Sequence, residues 1–258
     1  MLKRNNSFKD YISKIQSESL SRSKSFHSLP PDNILKANVN YNNPRLINGY
    51  IPTVRETSLE EIINAVKHIY KSIKEDRWTS HIKNVTERKN EIFQKNQKTR
   101  EDAWDMRCCM TDNLLEKLQG ILTILLKNGY FKTHAYFVCY INTQPIGVML
   151  LKKYNSLYSR GTAYYPEVNF IINHPGIQNC AYLLMEKAVN TSYKIGYQGK
   201  LKLTLATGEL SSKVYQKMGF THIKGDENMK MELNPNGNSV WYLSPSYGGY
   251  FFTGIRRD

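Results

Sequence analysis

The chain has 258 residues, of which 40% are hydrophobic and 12% are aromatic. This composition can fill a packed core and excludes a wholly disordered protein. Lysine and arginine number 36 against 22 aspartate and glutamate, and the resulting formal charge of +14 is spread along both halves of the chain. Such a charge favours an anionic ligand or an acidic protein partner. Nucleic acid is not the expected partner, since the sequence has no localised basic stripe and no RNP-like aromatic motif.

Membrane and metal-binding classes are also excluded on sequence patterns. No stretch approaches the roughly 18 apolar residues of a membrane span, and the first residues are too polar for a Sec-type signal. The four cysteines, Cys108, Cys109, Cys139 and Cys180, show neither Cys-x-x-Cys pairs nor histidine partners at zinc-site spacing. We therefore expect no metal site, free thiols in a reducing compartment, and a cytoplasmic location where the protein is synthesised.

Residues 1–40 differ in composition from the rest. Eight serines fall between Ser7 and Ser28 among scattered basic residues, and apolar residues are sparse. Because such a segment cannot bury enough apolar area to offset its ordering entropy, we predict a mobile arm. This arm has two possible interpretations, an ordinary disordered terminus or a delivery signal. The second is considered because Ser-rich, acid-poor leaders of bacterial effectors injected into host cells have a similar composition.

The first half of the predicted domain, residues 41–235, is mainly helical. Residues 47–55 predict a strand, and Ser58-Leu59-Glu60-Glu61 predicts a capping box that starts a helix. A charged segment, about 75–110, predicts an insertion of peripheral helices that could act as a lid. A leucine-rich helix follows over 114–125, with Asn113 and Glu116 as its caps and Gly129 as its stop.

The second half changes to β periodicity. A hairpin is predicted over 134–151, and the elements that follow are a strand at 167–173, a helix at 180–195, a strand at 201–206, a helix at 209–218 and strands at 220–224 and 229–233. The order β-α-α-β-β-β-α-β-α-β-β indicates an α/β fold with a mixed central sheet flanked by helices. Residues 236–258 are an aromatic extension, expected either to close over the domain as a strap or to line an acceptor groove.

One segment is specific enough to suggest a family. Val214-Tyr215-Gln216-Lys217-Met218-Gly219-Phe220 follows the fifth strand and resembles the Tyr-x-Lys-x-Gly-Phe segment of the GNAT superfamily of acyl-CoA-dependent N-acetyltransferases. The resemblance covers residues 45–233. It implies a GNAT-like mixed sheet and a role for Tyr215 in protonating the thiolate of coenzyme A as it leaves. The alternative is that Tyr215 packs at an ordinary helix end.

A second segment resembles the fourth strand of the histone-acetyltransferase branch. It comprises Pro166 and Glu167 followed by Val168-Asn169-Phe170-Ile171-Ile172-Asn173. The resemblance implies that Glu167 is the general base and that the strand aligns the cofactor, with Phe170, Ile171, Ile172 and Asn173 as binding residues. A carboxylate suits this task because an amine with a pKa of about 10.4 must lose a proton before it attacks. Glu167 could instead be a solvated strand end, with Tyr164, Tyr165 and His174 as other candidates for the base.

The third segment occupies the position of the family's pyrophosphate loop, Arg/Gln-x-x-Gly-x-Gly/Ala, but departs from its sequence. Here the loop holds Gly176, Ile177, Gln178, Asn179, Cys180 and Ala181, with no leading arginine. Backbone N–H groups at a helix start can still bind an anion. We expect these six residues to contact the cofactor, with Lys213, Lys187 or Lys217 near its phosphates.

The sequence therefore predicts transfer of an acetyl group from acetyl-CoA to an amine, with acetyl-CoA as co-substrate. The acceptor stays open between a protein lysine, a protein N-terminus and a small amine. The departures in the pyrophosphate loop leave a second possibility, a GNAT scaffold that has lost catalysis and binds a partner protein.

Overall fold

The computed structural model describes residues 52–75, 84–95, 99–153, 165–175, 180–205, 209–223, 230–246 and 248–254, together with 82, 177 and 225. The predicted mobile arm and residues 47–51 of the first predicted strand lie outside this part. So do Tyr164, Gly176, Gln178 and Asn179 among the predicted site residues. Within the described ranges, none of the helices has the length and hydrophobicity needed to span a bilayer.

The described residues form a mixed sheet, a separate hairpin and five α-helices. The strands are β1 (Thr53–Thr57), β2 (His134–Ile141), β3 (Gln144–Lys152), β4 (Glu167–Asn173), β5 (Leu201–Thr204), β6 (Thr221–His222), β7 (Lys230–Leu233), β8 (Trp241–Ser244) and β9 (Gly249–Phe252). The helices are α1 (Leu59–Glu75), α2 (Val85–Gln94), α3 (Arg100–Asn128), α4 (Ala181–Ser192) and α5 (Glu209–Gln216). The predicted α/β class is confirmed.

Seven strands form the central sheet in the order β1-β2-β3-β4-β5-β7-β6. Only the β4–β5 pair is parallel, and α4 makes the crossover between these two strands. Strands β2 and β3 are buried at nearly every position, which requires cover on both faces of the sheet. Helices α1 and α3 pack against each other and against this sheet, and α4 also packs on it.

Helix α3 corrects one sequence prediction. It is a single helix of 29 residues that begins at Arg100, so the predicted start with Asn113 and Glu116 as caps is wrong. Thr99 is the N-cap and forms a capping box with Asp102, and Gly129 ends the helix with a φ of 68°, as predicted. The prediction failed because the first turns of α3 carry charged residues that usually face water.

Two of those charges are buried in an ion network between α2 and α3. The Oδ1 atom of Asp102 accepts hydrogen bonds from Arg88 Nη2 at 2.9 Å and Lys95 Nζ at 2.7 Å. Its Oδ2 atom accepts from the backbone N–H and the hydroxyl of Thr99. Arg88 also donates from Nε to Asp105 at 2.9 Å. Burial raises the pKa of the Asp102 carboxyl, but the bonds from Lys95 and Thr99 outweigh it and hold that pKa below its usual range.

The C-terminal extension forms the hairpin β8–β9, which packs on α4. The indole of Trp241 donates to the carbonyl of Met218 at 2.8 Å, and the Asn238 amide donates to the carbonyl of Gly219 at 3.0 Å. Gly219 has a φ of 87°, the left-handed conformation predicted for the end of this helix. The hairpin therefore holds the turn that follows α5.

Asp102→Asn should destabilise the protein by roughly 3 kcal/mol, because the buried side chain loses its charge-assisted bonds with Lys95 and Arg88, and Arg88 keeps only Asp105 as a buried partner. Chemical denaturation monitored by circular dichroism would measure the loss. Glu91→Gln is the matched control: Glu91 also contacts Arg88, at 3.4 Å, but is 62% exposed, and its loss should change stability by less than about 0.5 kcal/mol. Equal effects of the two variants would contradict a special role for the buried network.

Candidate active site

Strands β4 and β5 separate soon after they pair. Their register joins only Glu167 to Lys202 and Val168 to Leu203, after which β5 ends at Thr204 while β4 continues to Asn173. Asn169 is an extra residue opposite β3, since Val168 pairs with Leu151 and Phe170 with Leu150. Such a bulge increases local twist. Within the described residues, the edge of β4 from Asn169 to Asn173 has no strand partner on the β5 side.

A first cavity, cavity A, opens where the two strands diverge. It has a volume of about 520 Å³ and lies between β4, β5 and helices α2, α3 and α5. Most of its lining is apolar. The polar lining residues among those described are Thr99, Arg107, Asn169, Thr204, Ser211 and Tyr215.

A second cavity, cavity B, adjoins the first along β4. It measures about 670 Å³ and lies between α3, the end of β4, the start of α4, the end of α5 and the C-terminal hairpin. The two cavities share five lining residues, namely Arg107, Met110, Leu114, Ile171 and Val214. Together they form one groove, which runs from the β4–β5 junction to the N-terminus of α4.

Tyr215 lies in cavity A, where the sequence predicted a functional tyrosine. Its ring packs edge-on against Phe220 with 5.8 Å between ring centroids. Burial raises the pKa of the Tyr215 phenol to about 12. The hydroxyl therefore stays protonated at neutral pH and can donate a hydrogen bond to a group bound in the groove.

Glu167 lies at the first position of β4 and does not line either cavity. Its Oε1 atom accepts a hydrogen bond of 3.3 Å from the hydroxyl of Thr204, which does line cavity A. The sheet register places it between Lys152 on β3 and Lys202 on β5. The structure thus puts Glu167 one hydrogen bond away from the groove, and its role as a base stays a prediction.

The predicted cofactor residues of β4 lie along the groove. Phe170 and Ile171 line cavity A, and Ile171, Ile172 and Asn173 line cavity B. The Asn173 side-chain oxygen is buried and has no hydrogen-bond partner among the described residues. These four residues are therefore placed where a ligand in the groove would meet them.

The described part of the predicted pyrophosphate loop lies at one end of cavity B. Ile177 and Ala181 line it, and Cys180 is the N-cap of α4. The Cys180 carbonyl accepts the backbone N–H groups of Leu183 and Leu184. A hydrogen bond with Cys139 and burial raise the pKa of the Cys180 thiol, so this N-cap side chain is neutral. Any anion held here would depend on the backbone N–H groups of the first helical turn.

The three lysines expected near the phosphates differ in their position relative to the groove. Lys217 lines cavity B, whereas the exposed side chains of Lys213 and Lys187 line neither cavity. His174, proposed as a reserve base, is fully buried and lines cavity B. Burial, with a smaller effect of His68, lowers the pKa of His174 to about 3, which makes it a weak base. The other described candidate, Tyr165, has its ring under the ammonium groups of Lys200 and Lys202.

Sequence reasoning missed the wall of the groove that α3 supplies. Ala103, Arg107, Met110 and Leu114 all line cavity A, and their spacing of four, three and four residues marks one face of a helix. Extending the predicted leucine face backwards from Leu114 would have found this stripe. Phe252 and Gly254 of the C-terminal extension line cavity B, so that segment borders the groove as well as packing on α4.

Within the described ranges, no group of three or more His, Cys, Asp or Glu side chains is placed to hold a metal. The groove instead offers an unpaired strand edge, a helix N-terminus and a protonated phenol.

No protein-family model matches the chain, and no curated protein matches it. Solved structures similar in fold include an N-acetyltransferase, PaiA, of Thermoplasma acidophilum in complex with coenzyme A. It is 16% identical, with 70% of this chain and 97% of the other covered and a TM-score of 0.41. A protein assigned to the GNAT family from Desulfovibrio desulfuricans is 12% identical over 71% and 98% of the two chains, with a TM-score of 0.44.

A third similar structure is a mutant AtaT toxin bound to the C-terminus of the antitoxin AtaR and to acetyl-CoA. It is 19% identical over 46% of this chain and 79% of the toxin chain, with a TM-score of 0.36.

Replacing His174 should change how stability depends on pH. The folded-state pKa of about 3 lies below the ordinary value of 6.5. Between these values the unfolded chain binds a proton that the folded protein does not. His174 therefore lowers stability by about 1.4 kcal/mol per unit as pH falls below 6.5. His174→Gln should show a correspondingly shallower loss between pH 6.0 and 4.5 in urea denaturation. Carboxylates titrate in both proteins, so a difference between the two slopes comes from His174. Identical slopes would contradict a buried neutral imidazole.

Proposed function

We propose that the protein is an acyl-CoA-dependent N-acetyltransferase that moves an acetyl group from acetyl-CoA to a primary amine by direct attack. The observation that supports this most is the separation of β4 from β5, which leaves the β4 edge without a strand partner among the described residues, along a groove that Tyr215 lines. Acetyl-CoA supplies the acetyl group as a thioester and releases coenzyme A as a thiol.

The groove fits the chemical parts of acetyl-CoA in order. The pantetheine arm carries amide N–H and C=O groups, and the edge of β4 from Asn169 to Asn173 can pair with these as with an added strand. The pyrophosphate suits the N-terminus of α4 in cavity B, where Lys217 adds a positive charge. Lys213, exposed on α5 outside the groove lining, would contribute only through long-range attraction.

Tyr215 stabilises the leaving sulfur. An ordinary thiol has a pKa of about 8.5, well below the value of about 12 for this phenol. Complete transfer of the phenolic proton to the sulfur is therefore unfavourable. Tyr215 donates a hydrogen bond to the developing thiolate, which takes its proton from water after release.

Glu167 accepts the proton of the attacking amine through Thr204 or through water, since its carboxylate does not line the groove itself. Positioning the amine beside the thioester contributes more than either side chain, because proximity and orientation can supply roughly 7–11 kcal/mol. The carboxylate adds a factor of about 10²–10⁴.

Tyr215→Phe should lower kcat by about 10²-fold and change the Kd for acetyl-CoA by less than about twofold, because the phenyl ring keeps its packing on Phe220. Since the phenol does not ionise between pH 6 and 9, the deficit should be constant over that range. Steady-state release of coenzyme A and calorimetry would measure the two quantities. Tyr242→Phe removes a hydroxyl from an exposed tyrosine on β8 and should behave as wild type. Unchanged turnover in Tyr215→Phe would remove the tyrosine from the mechanism.

Glu167→Gln should slow transfer most at neutral pH, and its deficit should shrink as pH rises towards the pKa of the amine, about 10, because free amine then accumulates without a base. A pH profile of kcat/KM would show this convergence. Glu60→Gln, on the exposed start of α1, is the control. Full turnover of Glu167→Gln at pH 7 would direct the search for the base to Tyr164, Tyr165 and His174. Binding of acetyl-CoA without turnover of any amine would favour the binding-protein alternative.

A further inference from the structure

Arg107 lies at the centre of the groove. It projects from α3 and lines both cavities, together with Met110, Ile171 and Val214. Its guanidinium lies 5.9 Å from the ring centroid of Trp104. Burial lowers the pKa of Arg107 from its usual value, so this cation sits in a poorly solvated place. A desolvated guanidinium attracts carboxylates strongly and can bind them through two parallel hydrogen bonds.

Among the described residues, the lining of cavity A includes a positive charge and no negative one. Among the described residues, neither cavity is lined by an aspartate or a glutamate. The polar lining residues of cavity A other than Arg107 are neutral, and Ile92, Met106 and Met110 make much of the remainder apolar. A polyamine or a lysine side chain flanked by basic residues would find no compensating charge among these residues.

The nearby strand ends of the sheet carry slightly more lysines than carboxylates. Lys152, Glu167 and Lys202 occupy one row across β3, β4 and β5. The ammonium groups of Lys200 and Lys202 lie 5.4 and 5.3 Å from the ring centroid of Tyr165. The row continues to Glu232 on β7, so Lys152, Lys200 and Lys202 outnumber the two carboxylates by one. This small excess of positive charge favours an anionic molecule over a polycation.

We infer, on the basis of the proposed function, that the acceptor is a free α-amino acid with an apolar side chain, whose α-carboxylate pairs with Arg107. The α-amine is one carbon away from the carboxylate, so this pairing would hold the nucleophile in the part of the groove that Tyr215 borders. The apolar side chain would pack against Ile92, Met106 and Met110 in cavity A. Cavity A, at about 520 Å³, falls within the size range of small-molecule sites.

The competing use of Arg107 is to bind the phosphates of coenzyme A. The groove already offers the phosphates a separate place, since the α4 N-terminus and Lys217 lie in cavity B. Among the described lysines and arginines, Arg107 alone lines cavity A, where Tyr215 also lies. The carboxylate of an amino acid would pair with it there. The two uses predict different effects of removing its charge.

The experiment compares leucine with leucinamide, which keeps the amine and the side chain but lacks the negative charge. For the wild type, kcat/KM should be at least about tenfold higher for leucine than for leucinamide, spermidine or a lysine-containing peptide. Arg107→Gln should raise KM for leucine by about tenfold or more while changing leucinamide turnover by less than twofold. Arg107→Lys should recover part of the loss.

Two further measurements keep the outcomes distinct. The Kd for acetyl-CoA, from calorimetry, should change by less than twofold in Arg107→Gln, and thermal melting should confirm that the variant folds. Lys127→Gln, which removes a charge from an exposed site on α3, should leave all values unchanged. The inference is overturned if spermidine or the peptide is a better acceptor than leucine. It is also overturned if Arg107→Gln lowers the turnover of leucine and leucinamide equally, or if this variant binds acetyl-CoA more weakly than the wild type. If acetyl-CoA does not bind the wild type at all, the proposed function itself fails.

Discussion

The brevity of the β4–β5 pairing determines the rest of the site. A parallel pair normally satisfies the backbone of both strands, and the N–H and C=O groups of β4 need partners wherever β5 has diverged. Two paired residues, followed by the bulge at Asn169, open a groove in the middle of the sheet, where the β4 edge has no strand partner in the described part of the chain. Helices α3 and α5 border this opening but do not close it. The groove is therefore a consequence of topology, and side chains only adjust what can enter it.

Among the described residues, the buried carboxylates of α3 lie in an ion network, whereas the groove is lined by positive and neutral side chains. The acidic residues of α3 that are buried, Asp102 and Asp105, are committed to the network with Arg88 that joins α2 to α3. That network orients the first turns of α3, from which Arg107 reaches the groove one turn later. Carboxylates thus hold the scaffold together, while the groove is left with positive and neutral groups. Among the described residues, Arg107 therefore lines the groove without a carboxylate among the other lining residues.

The local sequence pattern correctly predicted the helices and strands in which apolar and polar residues alternate regularly. The strands at 134–151 and 167–173, the αL turn at Gly219 and the place of Tyr215 follow from alternation and from a motif within seven residues. The start of α3 did not, because Asp102 and Asp105 are stabilised by Arg88, 14 and 17 positions away, and such pairing is invisible to a local reading. Arg107 was missed because the helix was predicted to start near Asn113, so the groove-facing stripe before Leu114 was not followed. Glu167 was identified by position in a strand, which cannot reveal that its carboxylate stops one hydrogen bond short of the groove.

The hairpin β8–β9 also has a consequence for the order in which the site is built during synthesis. The carbonyl of Met218 leaves the ribosome 23 residues before the indole that binds it. Until Trp241 and Asn238 emerge, the turn after α5 has only water to satisfy its carbonyl groups, and Phe252 has not yet reached cavity B. The central sheet contains no residue of the hairpin, so its strands alone do not complete the groove. In chain order, therefore, the side of the groove that Phe252 and Gly254 supply comes after every strand of the central sheet.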